Sequence, residues 1–384
     1  MDEFDVLVIG GSLSGAISAF LLGINGKRVC IFDPQTFPRR KACGEGLSAI
    51  GANYLKQLNL WSSELETSAQ PFFGYKMINE AGDVYSLRSE NTIQGYGISR
   101  VLLDSHVLSV ATSHPNVTKE AETVVAIRKK EATWVLKTQS QKVVTAPKLI
   151  VASSQTSSKL LSDIVYQEEN LARYGLAIWC EGEWKIKKPT EITIFNKPEG
   201  QYIVTPVGPK SVNISMLLYS GFRITKNEAI NKAVTLVRSM GFCCITISEP
   251  FGASAVHSAR IKNNDYNYYL VGDGIERFDP ISGMGMTHAI YSAELAAKSI
   301  LSGDSSAKDY YKSRERGARI LRLITKLSYS LNVERNKALQ EIVKRSPHLS
   351  YLIQFWLKGI FPSSEFNLNK KKGEGYENYK IATC

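Results

Sequence analysis

The segment Gly10-Gly11-Ser12-Leu13-Ser14-Gly15 constrains this chain more than any other. It follows the apolar run Phe4-Asp5-Val6-Leu7-Val8-Ile9 and opens a helix-like stretch from Ala16 to Ile24. A strand, a tight glycine turn and a helix in that order aim unpaired backbone N–H groups and the positive end of a helix at one point. That point suits the pyrophosphate of a dinucleotide. The next apolar run, Arg28-Val29-Cys30-Ile31-Phe32, ends at Asp33, an acid placed to accept hydrogen bonds from ribose hydroxyls. Ser12 stands where such turns usually carry a second glycine. Its β-carbon costs some closeness to the phosphate, and its hydroxyl can return one hydrogen bond.

A chain of 384 residues can bury a full core and hold one large or two interlocked domains. Hydrophobic residues at 43% and charged residues at 22% describe an ordered globular protein. No apolar run approaches the roughly 20 residues that span a bilayer. The first strand begins almost at the N-terminus, which leaves no room for a signal peptide, so a cytoplasmic location is expected. Cysteines at positions 30, 43, 180, 243, 244 and 384 lack CxxC spacing, which predicts reduced thiols and no metal site. The net charge of +11 is dispersed apart from the cluster Asn369-Lys370-Lys371-Lys372-Gly373, and no nucleic-acid motif accompanies it. The expectation is a solvated basic surface with no nucleic-acid partner; an anionic substrate or acidic partner stays compatible.

Strand and helix patterns alternate from Phe4 to about Leu60. Strand-like pieces follow at Phe72–Ile78 and Val84–Leu87, then a helix at Val101–Ser113 and short strands near 121–127, 132–138 and 142–145. From roughly 170 to 256 the alternation in Thr190-Glu191-Ile192-Thr193-Ile194-Phe195 and Ser211-Val212-Asn213-Ile214-Ser215-Met216 predicts a mostly antiparallel sheet. One helix, about Lys226–Met240, interrupts it.

Tyr268-Tyr269-Leu270-Val271-Gly272-Asp273 resumes the strand-and-turn pattern, and Asp279-Pro280-Ile281-Ser282-Gly283-Met284-Gly285 leads into a long helix. Asp273 at a strand end can accept hydrogen bonds from ribityl hydroxyls, a polyol that NAD lacks. Gly283, Met284 and Gly285 at a helix start let backbone approach an isoalloxazine and stabilise its negative charge. With the N-terminal turn, these residues predict FAD. The expected fold is α/β: a Rossmann-like FAD-binding domain of residues 1–168 and 257–302, an inserted β-rich substrate domain of residues 169–256, a C-terminal helical region of residues 303–361 and a polar tail of residues 362–384.

These motifs resemble the flavoprotein superfamily of aromatic hydroxylases, geranylgeranyl reductases and flavin-dependent halogenases, over most of residues 4–302. Two further segments carry the likeness: Phe37-Pro38-Arg39-Arg40-Lys41-Ala42-Cys43-Gly44-Glu45-Gly46-Leu47-Ser48 and Ile98-Ser99-Arg100-Val101-Leu102-Leu103-Asp104. The resemblance implies that Arg100 and the Arg39/Arg40 pair approach the flavin or its phosphates and that Val124 contacts adenine through its backbone. The Cys43-Gly44 pair looks most like the reductase branch. Aromatic hydroxylases usually carry Asp-Gly after the strand corresponding to Lys148–Ala152; here Ser153-Ser154-Gln155 stand in its place, which leaves NAD(P)H docking undecided. Halogenases of the superfamily carry WxWxIP. The nearest equivalent, Gln201-Tyr202-Ile203-Val204-Thr205-Pro206, lacks both tryptophans, which argues against halogenation.

Reduced FAD can deliver hydride to an activated alkene or activate oxygen for transfer to an electron-rich ring, provided that an apolar pocket excludes water. Tyr202 and Pro206 are the expected lining, with Pro280 above the ring. Cys43 and Glu45 are the candidate acid or redox groups, together with Tyr202 as catalytic positions, and Lys41 is a partner for an anion. His288, Trp179 and Trp184 are expected to pack. The leading expectation is an FAD-dependent monooxygenase hydroxylating an electron-rich aromatic group. Its substrate would be an aromatic small molecule or, through a looser resemblance to flavoproteins of quinone-cofactor maturation, a tryptophan of a partner protein. An ene-reductase acting on a prenyl-like chain and a flavin-binding accessory protein without turnover are the alternatives. Oligomeric state is not legible.

Overall fold

The computed structural model describes residues 2–89, 91–153, 160, 161, 165–168, 173–256, 259–262, 267–303 and 307–346. Its centre is a five-stranded parallel sheet in the order Tyr269–Leu270, Lys148–Val151, Val6–Ile9, Val29–Phe32, Val117–Glu120. Val6–Ile9 and Val29–Phe32 are buried at every position, as a parallel sheet covered on both faces demands. Val6 and Val8 face the helices Leu13–Gly23, Arg100–Thr112 and Gly285–Leu301. Leu7 and Ile9 face a small sheet that buries Trp134, Leu136 and Val144.

The strand Val117–Glu120 escaped the sequence pattern because three of its four residues are polar. The strand expected near 121–127 instead runs over Val124–Lys130 in the small covering sheet.

The second body is an eight-stranded sheet in the order Phe242–Ile247, Arg173–Trp184, Ser211–Leu218, Gly200–Pro206, Ile192–Lys197, Gly74–Ile78, Val84–Arg88, with Phe251–Val256 also paired to Arg173–Trp184. It extends beyond residues 169–256. Gly74–Ile78 pairs in parallel with Ile192–Lys197, so two strands from the N-terminal half complete a sheet that residues 169–256 do not form alone. Local alternation marks these strands but carries no information on which sheet they join. The helix Lys226–Ser239, opened by a capping box between Thr225 and Glu228, covers one face through Ala229, Ala233 and Val237.

The C-terminal helices are Lys308–Asn332 and Lys337–Arg345. The expected helical region beyond residue 346, the tail 362–384, and Ser154 and Gln155 lie outside the described residues. Among the described residues no helix is long and apolar enough to cross a membrane.

Candidate functional site

The two glycine motifs meet. Gly10 has φ 102°, and a β-carbon on Gly15 would lie 1.8 Å from the Gly10 carbonyl oxygen, so the first helix can close on its turn only with glycine there. Gly272, at φ 55°, packs its backbone so closely on Ser14 that a β-carbon would come within 2.7 Å of the serine Oγ. Asp33 accepts from the Gly11 N–H at 2.7 Å through Oδ2 and from the Gln35 N–H at 2.9 Å through Oδ1; each oxygen keeps a second lone pair.

Helices elsewhere begin with the side chains of Ser48, Ser62, Ser99 and Thr225 accepting first-turn N–H groups. Like the helix at Lys308, which has none from Ala307, the helices at Leu13 and Gly285 have no such bond from their N-caps, Ser12 and Met284. Their first N–H groups stay available to an external acceptor.

Both helix starts open on a cavity of about 310 Å³. Ser12, Leu13 and Ser14 form one wall, joined by Asp273, Gly283 and Gly285 from the second motif. A β-carbon at Gly283 or Gly285 would meet nothing within 4 Å, so the space over this backbone is open. Tyr75, Ile192, Ile194 and Ile203, from the large sheet, make the apolar wall opposite. Pro280, Ile281 and Met286 close one end, and the turn from Lys41 to Gly46 closes the other.

That turn is held by charge and by hydrogen bonds. Arg100, at the start of its helix, donates from Nε and Nη2 to the two carboxylate oxygens of Asp104 at 2.7 and 2.8 Å, one helical turn on. The same Nη2 reaches Ser12 Oγ at 3.1 Å, Ser12 Oγ donates to Asp104 at 2.7 Å, and Nη1 lies 3.9 Å from Cys43 Sγ. Burial pushes the Asp104 carboxyl up, but the Arg100 guanidinium outweighs it and holds the group below the usual carboxylate range. The Ser12 hydroxyl, expected on a phosphate, is thus engaged with Arg100 and Asp104.

Glu45 lies at the heart of the turn, fully buried and at φ 56° between Gly44 and Gly46. A non-glycine residue held there costs about 1–3 kcal/mol, which the surroundings must offset. Three donors do so: the Arg100 N–H at 2.8 Å, the Trp179 indole at 2.8 Å and the Asn213 amide at 3.3 Å. Burial nevertheless pushes its carboxyl up to about 7, against the Arg100 N–H, the Trp179 bond and the Arg100 charge. Asn213 and Ser215 also donate to the Cys43 carbonyl, fastening the turn to the large sheet. Lys41 reaches Asp273 at 3.3 Å across the cavity rim; both are about two-fifths exposed, so the pair contributes little to stability.

Several predicted residues lie outside the lining of this cavity. Tyr202 does not line the cavity: side chains alternate along Gly200–Pro206, so Ile203 faces it while Tyr202 packs beneath the helix Lys226–Ser239 and bonds Glu199 at 2.8 Å. Pro206, on the same face of the strand as Tyr202, is also outside the lining. Arg40 is exposed and stacks on the Trp179 ring at 5.1 Å, and Arg39 stacks on Phe37 at 4.9 Å, so neither forms the cavity wall. Val124 packs its side chain with Ile9 and Phe32, which leaves its backbone for the expected contact with adenine. Met284 faces a second, smaller cavity. His288 is buried, and burial followed by the charges of Arg314 and Arg322 holds it well below the usual imidazole range, a packed neutral ring.

Sequence reasoning missed Tyr75, Ile192, Ile194, Ile203, Asn213 and Ser215, and assigned Trp179 to packing. The alternation that marked their strands was a usable signal for the face, but not for what the face meets.

No family model matches the sequence. The menaquinone reductase of Mycobacterium tuberculosis (strain ATCC 25618 / H37Rv) is 22% identical over 332 residues, covering 79% of this chain and 78% of its own. The squalene epoxidase of Schizosaccharomyces pombe is 23% identical over 341 residues, covering 78% and 69%. Among solved structures, a flavoprotein/dehydrogenase from Cytophaga hutchinsonii superposes with a TM-score of 0.75 at 18% identity, covering 94% of this chain and 93% of that one. The p-nitrophenol 4-monooxygenase PnpA of Pseudomonas putida gives 0.76 at 12% identity, covering 98% and 100%. A halogenase PltM variant in complex with FAD gives 0.71 at 15% identity, covering 96% and 86%. The chain therefore has the fold of these flavoproteins, as the glycine motifs led one to expect.

Proposed function

We propose that the chain is an FAD-dependent oxidoreductase and, within that class, a monooxygenase that hydroxylates an electron-rich aromatic group. The observation that carries this reading is the cavity of about 310 Å³ in which two uncapped helix starts face a wall of isoleucines. The residues fit FAD. The N–H groups after Ser12 would hold the pyrophosphate and Asp33 the adenosine ribose. Asp273 would hold the ribityl chain, and the open backbone at Gly283 and Gly285 would admit the ring. Bound FAD would supply the two-electron redox chemistry and the activation of oxygen.

The protein does the rest. Ile192, Ile194 and Ile203 exclude water from the side of the cavity that faces the sheet. Arg100, its charge compensated by Asp104, holds Ser12 and the Cys43 turn in place. Glu45 holds or releases a proton near neutral pH. The aromatic group would belong to a small molecule or to a tryptophan of a partner protein.

An absorbance spectrum of the purified chain, followed by oxygen uptake with a panel of phenols and a two-electron donor for the flavin (NADH, NADPH or a separate flavin-reducing system), tests the proposal. Bound flavin, stoichiometric oxygen consumption and a product heavier by one oxygen atom are expected. A colourless chain after reconstitution with FAD overturns the whole reading.

One observation favours a second reading, an ene-reductase. Hydride addition to an alkene leaves a carbon that needs a proton, and Glu45 beside Cys43-Gly44 is poised to donate one at neutral pH. The similarity to a menaquinone reductase supports it. Turnover that proceeds anaerobically selects this reading, whereas flavin binding without any turnover selects the accessory role.

A further inference from the structure

A second cavity of about 110 Å³ lies behind the first, between the large sheet and the helix Lys308–Asn332. Tyr75, Ile194 and Ile281 line both, so these three side chains are the partition between them. Met77, Leu87, Met284 and Leu331 supply its apolar wall. Most of the polar groups at its edge, Tyr75 and the Ser328 hydroxyl apart, are engaged within the protein. Ser48 Oγ bonds Thr287 Oγ1 at 2.7 Å, Ser282 Oγ donates to the Asp279 carbonyl at 2.7 Å, and the Asn332 amide donates to the Ser328 carbonyl at 3.0 Å while accepting from Asn196 at 3.3 Å. What the chamber offers an occupant is therefore apolar contact.

Tyr75 differs from its neighbours in the partition. It is half-buried, its ring meets Phe72 edge-on at 5.5 Å, and among the described residues its hydroxyl makes no hydrogen bond. Burial pushes the phenol up to about 12, so it stays a neutral donor at any physiological pH. A donor without a protein acceptor, set at the junction of two chambers, is placed to meet a ligand.

We infer that the substrate spans both chambers: an electron-rich aromatic ring in the larger cavity, its oxygen substituent accepting from Tyr75, and an apolar tail passing between Ile194 and Ile281 into the smaller one. The inference rests on the function proposed above and adds the tail and the residues that set its length.

The test is calorimetric titration of the full-length, FAD-loaded chain with phenol, para-ethylphenol, para-butylphenol and para-hexylphenol. Affinity is expected to rise about fourfold for each methylene buried, then level off once the chamber is full. Leu87→Trp, which fills the chamber, should abolish the gain between the butyl and hexyl members and leave phenol binding as it is in the parent protein. Leu87→Ala should extend the gain, and it serves if the tryptophan variant does not fold. Tyr75→Phe should weaken every phenol by the same factor, about two- to tenfold. Equal affinity for phenol and hexylphenol, or tail selectivity unchanged in both Leu87 variants, overturns the inference. A chain that binds no flavin overturns the proposed function instead, and the same titration on that chain still reads the chamber.

Discussion

The indole N–H of Trp179 donates to the Glu45 carboxylate across 2.8 Å, joining the large sheet to a turn 134 residues earlier in the chain. The bond fixes an acid at the place where the apolar wall and the glycine motifs converge. Arg40 stacks on the outer face of the same indole, so the residue that orients the buried acid is itself clamped from outside.

Glu45 predicts a pH-dependent stability. Burial raises its folded pKa to about 7 from 4.5, so the folded chain holds this proton more tightly than the unfolded chain. Its contribution is fully present below 4.5 and is lost as pH rises through about 7, a change on the order of 3 kcal/mol. Urea unfolding on the two sides of that window should show the fall in the parent protein. Glu45→Gln should flatten it, and an unchanged slope in the variant would assign the dependence to another group.

Arg100 and Asp104 form a buried pair with side chains 5% and 2% exposed. Arg100→Met alone should destabilise by about 3–5 kcal/mol, because Asp104 is left charged and uncompensated. Adding Asp104→Leu should recover most of that loss. Chemical denaturation of the two variants checks the order, and a double variant no more stable than the single one would refute it.

The glycines make opposite predictions. Gly285→Ala has open space at the β-carbon, so stability should be unchanged or raised by up to about 1 kcal/mol. The same methyl enters the cavity and should weaken flavin binding about tenfold. Gly15→Ala collides with the Gly10 carbonyl and should lower stability with or without flavin. Thermal unfolding and flavin retention on gel filtration measure both.

Tyr202→Phe separates the two faces of its strand. The variant loses the bond to Glu199 and should cost about 1 kcal/mol in denaturation. The cavity and any flavin spectrum should not change. Altered flavin absorbance would return Tyr202 to the site.

The parallel sheet was legible because its strands are short, apolar and followed by glycine turns whose backbone demands are local. Val6–Ile9, Asp33 and the Gly272–Gly285 segment each announce themselves within a few residues. Glu45 was legible as a candidate because the family resemblance brought its glycine-flanked turn near the active site. Its raised pKa was not, since that depends on Trp179 and Asn213 and on burial beneath a sheet built from distant strands.

Tyr75 and Tyr202 mark the limit from both sides. Each sits in an alternating strand, and period-2 spacing divides such a strand into two faces without saying which one meets the core helix and which the cavity. Pairing of Gly74–Ile78 with Ile192–Lys197, across more than a hundred residues, decided that Tyr75 faces the cavity. The packing of Lys226–Ser239 decided that Tyr202 does not. Sequence alone therefore determined the dinucleotide-type fold and the backbone that would carry the cofactor, because glycine turns and buried strands are set by short-range sterics. Tertiary structure alone decided the shape of the substrate space, because its walls come from segments whose meeting no local pattern encodes.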